Sequence, residues 1–263
     1  MSDFVKKRGE VIPLEQRQKV AQRYRAIRDS VSHSFSGEVK SLYVGSYGRG
    51  TAISTSDIDM LLQLPTEDFS RFANASGNGP SYLLQEIRKG VQQRYPNSDI
   101  RADGQVVKVN FKDGMKFEVL PAFWGRPISN LEKYIYPDSN HGGRWRSTNP
   151  RSEQDAMYRL NQESNGLLFD TCKHMRQIRD NHFSSYHLSG IVIDSFVYKA
   201  IGNEHWPFPG EFYNVLWGSY ECQLLGQMPY PWECLYAPGS GDRVDIIDSW
   251  ECLEKVLRYM AGN

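Results

Sequence analysis

Long apolar runs are missing from this chain. Its longest, such as Ile191, Val192 and Ile193, fall far short of the roughly 20 residues that cross a bilayer. The opening MSDFVKKRGE lacks the apolar stretch of a secretion signal. No excess of charge exists either, since Lys plus Arg and Asp plus Glu both number 31. Proteins that grip duplex nucleic acid with their whole surface are usually basic, so that class is disfavoured, although local basic patches remain allowed. Cysteine is scarce. Cys172, Cys222, Cys234 and Cys252 form no C-x-x-C pair and do not cluster with histidine. Reduced, partly buried thiols in a cytoplasmic protein are the expectation, rather than a zinc site. Internal repeats and low-complexity tracts are absent.

What is present suits an ordinary globular protein: 263 residues, enough for one large domain or two closely joined lobes. Residues 14–35 read as a long helix, with Leu14, Val20, Tyr24, Ile27 and Val31 near helical spacing. Residues 39–44 and 58–64 read as strands, the second nearly all apolar and therefore central. The intervening GSYGRGTAISTS is too rich in Gly and Ser to be either helix or strand. After the loop NASGNGP, Pro80 suits the first turn of a helix running to about Tyr95. Strands follow over 99–102, 106–111 and 116–120, the last two flanking the hairpin signal Asp113–Gly114. Beyond Pro121 the chain reads as loose through PISNLEKYIYPDSNHGGRWRST. Asn149 and Pro150 then open a mostly helical half, broken at Asn165–Gly166 and around residues 181–186, with a last helix over 250–260. The boundary falls near residues 125–150.

The residues that carry chemistry begin with Gly45–Ser46, followed after ten residues by Asp57–Ile58–Asp59. Residues two apart in a strand share a face, so both carboxylates project together. Close like charges repel and are costly near apolar neighbours unless a cation compensates them. Mg²⁺ prefers oxygen ligands and combines one or two carboxylates with substrate phosphates. A Gly-Ser turn after a strand can bring backbone N–H groups against phosphate oxygens. Alone, Asp-x-Asp reads as a turn cap at Ser56–Asp57 followed by an acid on a solvated strand edge; with Gly-Ser upstream and a third acid on a later strand it reads as a metal site. The third acid, Glu118 in MKFEVLPAF, alternates with Phe117 and Val119 and faces away from them. Elsewhere the reading stays open. Lys173 also suits a solvated helix position, and Tyr186 a core. His174, His182 and His187 suit surface or supporting positions. Arg144, Arg146 and Arg151 around Trp145 fit a phosphate contact or a solvated linker.

The ordered set GSYGRGT…DIDM, FEVLPAF, WRSTNP and FSSYHL resembles the cyclic GMP–AMP synthase and oligoadenylate synthase branch of the polymerase-β nucleotidyltransferase superfamily. Within that branch it is most similar to the bacterial anti-phage (CBASS) enzymes, the CD-NTases. The matching stretches span residues 45 to about 190. The resemblance implies an α+β fold: a polymerase-β-like nucleotidyltransferase core of mixed β-sheet and helices over residues 1–135. A helical lobe over residues 136–263 would complete the nucleotide pocket. Gly45 and Ser46 would hold the donor triphosphate. Asp57, Asp59 and Glu118 would be catalytic and hold two Mg²⁺ (or Mn²⁺) ions. Lys173 and Ser185 would meet the phosphates, and Tyr186 would stack on the donor base. Relatives usually carry Asp where this chain has Glu118, whose reach is longer by about one C–C bond. The implied activity joins two or three nucleoside triphosphates, ATP among them, into a cyclic messenger. A downstream effector would receive it, and a protein or ligand could activate the enzyme. No membrane partner is implied. The chain also lacks the Cys/His insertion of zinc-dependent DNA sensing. The other readings are a transferase that adenylylates a protein, tRNA or small molecule, and a catalytically silent nucleic-acid sensor.

Overall fold

The computed structural model describes residues 4–9, 11–125, 133–206 and 219–262. These fall into two compact units. A sheet unit comprises Leu14–Gly48 and Asp57–Asn149. A helical unit comprises the described residues of Met1–Pro13, Arg49–Ser56 and Pro150–Asn263.

In the sheet unit, α1 (Leu14–Val31) leads to β1 (Lys40–Tyr43), the single helical turn α2 (Gly45–Gly48) and β2 (Ile58–Leu64). Next come α3 (Phe69–Ala73) and α4 (Gly79–Arg94). The strands β3 (Asp99–Asp103), β4 (Val106–Asn110), β5 (Lys116–Gly125), β6 (Lys133–Asp138) and β7 (Arg144–Thr148) complete it. The sheet runs β1-β2-β5-β4-β3, with β6 added to β5 and β7 to β6. It is mixed, because β2 and β5 are parallel while their other neighbours are antiparallel. The helix α4 starts where Asn78 accepts a 2.9 Å hydrogen bond from the Ser81 N–H, with Pro80 in the first turn.

Strand parity divides the sheet. Ile58, Met60, Leu62, Phe117, Val119, Val107 and Val109 pack with Val20 and Ile27 of α1 and Leu83, Ile87 and Val91 of α4. The other face of β2 and β5 carries Asp59, Leu61 and Gln63 beside Glu118, Leu120 and Ala122. There Leu61, Ala122 and Tyr134 form a smaller apolar cluster. One face is thus committed to the core, which leaves the other to carry the acids.

Three sequence readings are corrected. α1 stops at Val31, four residues short of Phe35, and continues as a tight turn over Ser32–Ser34. GSYG is helical for one turn. The stretch after Pro121 is not loose: β5 continues to Gly125, and residues 133–148 form the β6–β7 hairpin. The remainder of that stretch, residues 126–132, lies outside the described residues. Pro121 is tolerated in β5 because pairing with β4 ends at Val119 and pairing with β6 begins at Phe123. Its missing N–H therefore interrupts neither antiparallel ladder.

The helical unit holds α5 (Pro150–Glu163), α6 (Leu167–His182), α7 (Gly190–Ala200), α8 (Ser219–Gly226) and α9 (Ile247–Ala261). A small hairpin, β8 (Cys234–Tyr236) with β9 (Arg243–Asp245), was not foreseen, nor was α8. Asn165 and Gly166 break α5 from α6 with left-handed φ values of 54° and 95°. Met175, Phe196, Leu253 and Trp206 are buried in its core. The four cysteines form no disulfide. Among the described residues, no helix is long and apolar enough to cross a membrane.

Candidate active site

The site begins where β1 ends. The Val44 N–H donates to the Asp59 carbonyl at 2.9 Å, and the Gly48 N–H closes the following turn on the Val44 carbonyl at 3.0 Å. Gly45 has φ +58°, and a Cβ built on it would lie 1.8 Å from Asp59 Oδ2. Glycine is therefore required twice, for the left-handed backbone and for the space that the carboxylate fills. Beneath the turn, Tyr43 stacks on Tyr24 of α1 at 4.1 Å and on Tyr47 at 5.9 Å. Burial pushes the Tyr43 phenol up to about 12, so this ring supports the turn as an uncharged group.

The acids are set by register. Asp59 stands directly opposite Glu118 across the parallel β2–β5 pair. Lys108 stands opposite Glu118 across the antiparallel β4–β5 pair, and Arg101 opposite Lys108. One row of the sheet therefore reads Asp59, Glu118, Lys108, Arg101, while Asp57 lies exposed two residues before Asp59. Burial raises the Glu118 carboxyl above its ordinary value. Lys108 opposes that rise, and the charges of Asp57 and Asp103 add to it. The Lys108 ammonium sits 2.6 Å from Asp103 Oδ2 and 3.9 Å from Glu118 Oε1.

Among the described residues, no three His, Cys, Asp or Glu side chains form a ready-made metal cage. The donor chemistry nevertheless suits a hard divalent cation. Asp59 and Glu118 offer carboxylate oxygens from adjacent strands, Asp57 just before β2 is near enough for its charge to raise the Glu118 carboxyl, and Gly45 leaves the Asp59 carboxylate its place.

The other sequence-derived candidates belong to the helical unit. Lys173 on α6 donates to the Gly9 carbonyl at 3.0 Å. Ser185 is exposed in the turn after α6, where the Tyr186 N–H donates to the Phe183 carbonyl at 2.9 Å. Tyr186 is 39% exposed, and Lys255 of α9 places its ammonium 4.7 Å from the ring centre. His182 stacks on Tyr259 at 4.5 Å. His174 is wholly buried and hydrogen-bonds Arg8, so it is no surface residue. The Arg144–Arg146 segment is no solvated linker. Both guanidiniums bond Asp138, and Trp145 packs on Phe69 at 5.0 Å.

Two groups escaped the sequence reading. Lys108 carried a usable signal, because alternation along β4 places it on the acids' face. The second group centres on Asp194, fully buried on α7. Its carboxylate accepts from Arg49 Nε at 2.8 Å, Thr51 Oγ1 at 3.1 Å, and Arg176 Nη1 and Nη2 at 2.7 and 2.9 Å. Arg49 also donates through Nη1 to Glu153 at 3.0 Å. Burial would raise the Asp194 carboxyl, but Arg176 and Arg49 together hold it below its ordinary value. Arg49 lies inside the GSYGRGT motif, which was its only sequence signal.

A family model described as "Second Messenger Oligonucleotide or Dinucleotide Synthetase domain" (SMODS) matches residues 2–161. No curated protein sequence matches the chain. Among solved structures, a di-nucleotide cyclase (DncV) from Vibrio cholerae superposes with TM-score 0.69 at 10% identity, covering 94% of this chain and 84% of that one. A STING-associated CdnE c-di-GMP synthase from Capnocytophaga granulosa gives 0.67 at 15% identity, covering 95% and 81%. A CdnE cyclic dinucleotide synthase from Elizabethkingia meningoseptica, solved with GTP and Apcpp, gives 0.65 at 14% identity, covering 93% and 91%. These likenesses carry the polymerase-β-like α+β fold, and the family match carries the class of activity. The chain belongs to the second-messenger oligonucleotide or dinucleotide synthetase family, the CD-NTases, and is a nucleotidyltransferase.

Proposed function

We propose that this enzyme joins two or three nucleoside triphosphates, ATP among them, and closes them into a cyclic messenger for an effector in anti-phage (CBASS) defence. The observation that carries this reading is the pairing of Gly45 with Asp59 and of Asp59 with Glu118. The turn at Gly45 and two carboxylates are thereby neighbours within one unit. In this reading Asp57, Asp59 and Glu118 hold two Mg²⁺ (or Mn²⁺) ions. When bound, such ions lower the pKa of an attacking hydroxyl and neutralise the charge of the leaving pyrophosphate.

The chain's own residues would do the rest. Backbone N–H groups of the Gly45 turn and the Ser46 hydroxyl meet the donor triphosphate. Asp57 and Asp59 orient it, and Glu118 lies nearest the attacking ribose hydroxyl. The helical unit contributes Lys173 and Ser185 for phosphate contact and Tyr186 for the donor base, whose exposed ring offers a stacking surface.

The test is incubation of the protein with all four labelled triphosphates and Mg²⁺ or Mn²⁺, followed by phosphatase and identification of the resistant products. A cyclic oligonucleotide is expected, absent when Asp57 and Asp59 are both Asn. Label transferred only to an added protein, tRNA or small molecule would overturn the proposal in favour of an acceptor-modifying transferase.

A further inference from the structure

The stretch from Gly45 to Asp59 is divided between the two units. The turn Gly45–Gly48 and the acids from Asp57 onward belong to the sheet unit, whereas Arg49–Ser56 packs with the helical unit. That middle segment is closely held. Thr51, Ala52 and Ile53 are buried, and Thr55 donates to Asp180 on α6. Gly50, at φ +77°, leaves only 2.5 Å between an added Cβ and the Phe169 ring. The strongest hold is Arg49 on Asp194 and Glu153.

Burying such charges carries a desolvation cost of several kcal/mol per ion, which makes a buried bridge weak evidence of added stability. What the bridge does specify is the arrangement of its partners. The Asp194 oxygens receive four donors, and the planar guanidinium of Arg49 reaches two carboxylates at set angles. The segment so fixed is joined by one peptide bond to Gly48, which closes the phosphate turn, and by another to Asp57. Each junction is a single planar peptide unit, so only the few φ and ψ rotations beside it stand between a displacement of Arg49 or Ser56 and its neighbour Gly48 or Asp57.

We infer that Arg49, held by Asp194, is a positioning residue that fixes the phosphate turn at one end of its segment and the Asp57–Asp59 acids at the other. The inference rests on the proposed function for its kinetic consequence, but its structural consequence can be read without any turnover.

The experiment is hydrogen–deuterium exchange on Arg49→Lys, Arg49→Met and Thr51→Val beside wild type. Glu221→Gln serves as a control, because it weakens a buried contact to the Val5 N–H remote in sequence from the motif. In the folded Arg49 variants, peptides within residues 44–60 should exchange about tenfold faster, and in the control they should not change. Thr51→Val removes one of four donors and should give a smaller shift in the same peptides if Arg49→Met fails to fold. Kinetically, the apparent KM for nucleotide should rise several-fold and kcat should fall by up to about 100-fold, as expected for an ångström-scale misplacement. A merely structural role would lower kcat with the folded fraction and leave KM and the 44–60 exchange untouched, and that result overturns the inference. Wild type that releases no pyrophosphate refutes the proposed function, while the exchange data still decide the role of Arg49.

Discussion

Gly45→Ala concentrates the argument about the site in one methyl group. The backbone at Gly45 has φ +58°, and a side chain in that region costs about 1–2 kcal/mol. The new Cβ would also stand 1.8 Å from Asp59 Oδ2, where real Cβ contacts essentially never fall below 3.0 Å. Either the turn or the carboxylate must therefore move by more than about 1 Å, a displacement that can lower a rate by roughly 100-fold. At about 1.4 kcal/mol per tenfold, this corresponds to nearly 3 kcal/mol of lost transition-state stabilisation. Stability should suffer less. A loss of about 1–2 kcal/mol in a chain of this size lowers the melting temperature by about 2–8 °C. The measurements are metal-dependent pyrophosphate release and thermal unfolding of wild type and variant. The signature is a large rate loss beside a small Tm loss. Wild-type kcat in Gly45→Ala would refute the reasoning, since Asp59 could then be displaced without consequence.

Glu118→Gln should leave nucleotide affinity by calorimetry nearly unchanged while pyrophosphate release falls by orders of magnitude, as expected of a group that serves the transition state. Glu118→Asp should retain or raise activity, and unchanged release in Glu118→Gln would reduce this residue to a plain strand acid. Tyr186→Ala should weaken nucleotide binding by about 1–3 kcal/mol if the ring stacks on a base. Lys173→Ala should weaken triphosphate binding more than nucleoside binding, and equal affinities throughout would remove both residues from the pocket. In the β6–β7 hairpin, the hydrogen bond from Arg144 holds the Asp138 carboxyl down at about 2. Its folded value lies below the ordinary carboxylate value near 4, so its stabilisation is complete above about pH 4 and is lost as pH falls through 2. The Tm gap between wild type and Asp138→Asn should accordingly be open at pH 7 and close between about pH 4 and pH 2. A gap independent of pH would assign the effect to packing instead.

The sequence by itself determined the elements whose partners are near in the chain. β2 was legible residue for residue, because an almost unbroken apolar run bounded by turns has few other fates. The β4–β5 hairpin was legible from Asp113–Gly114 between two alternating segments. Parity alone placed Glu118 on the face opposite Phe117 and Val119. The order of the motifs identified the family. Tertiary structure alone decided what depends on distant partners. The β6–β7 hairpin looked like a loop because Pro137 and the polar run after it favour turns. Its strands are held by Asp138 against two arginines and by Trp145 against Phe69, contacts that no local pattern records. Register across the parallel pair, which sets Asp59 against Glu118, came from stacking β2 on β5 nearly 60 positions later. The allegiance of Arg49–Ser56 turned on distant partners, among them a carboxylate 145 residues beyond Arg49. Periodicity reports which face a residue shows; only packing selects the group that meets it there.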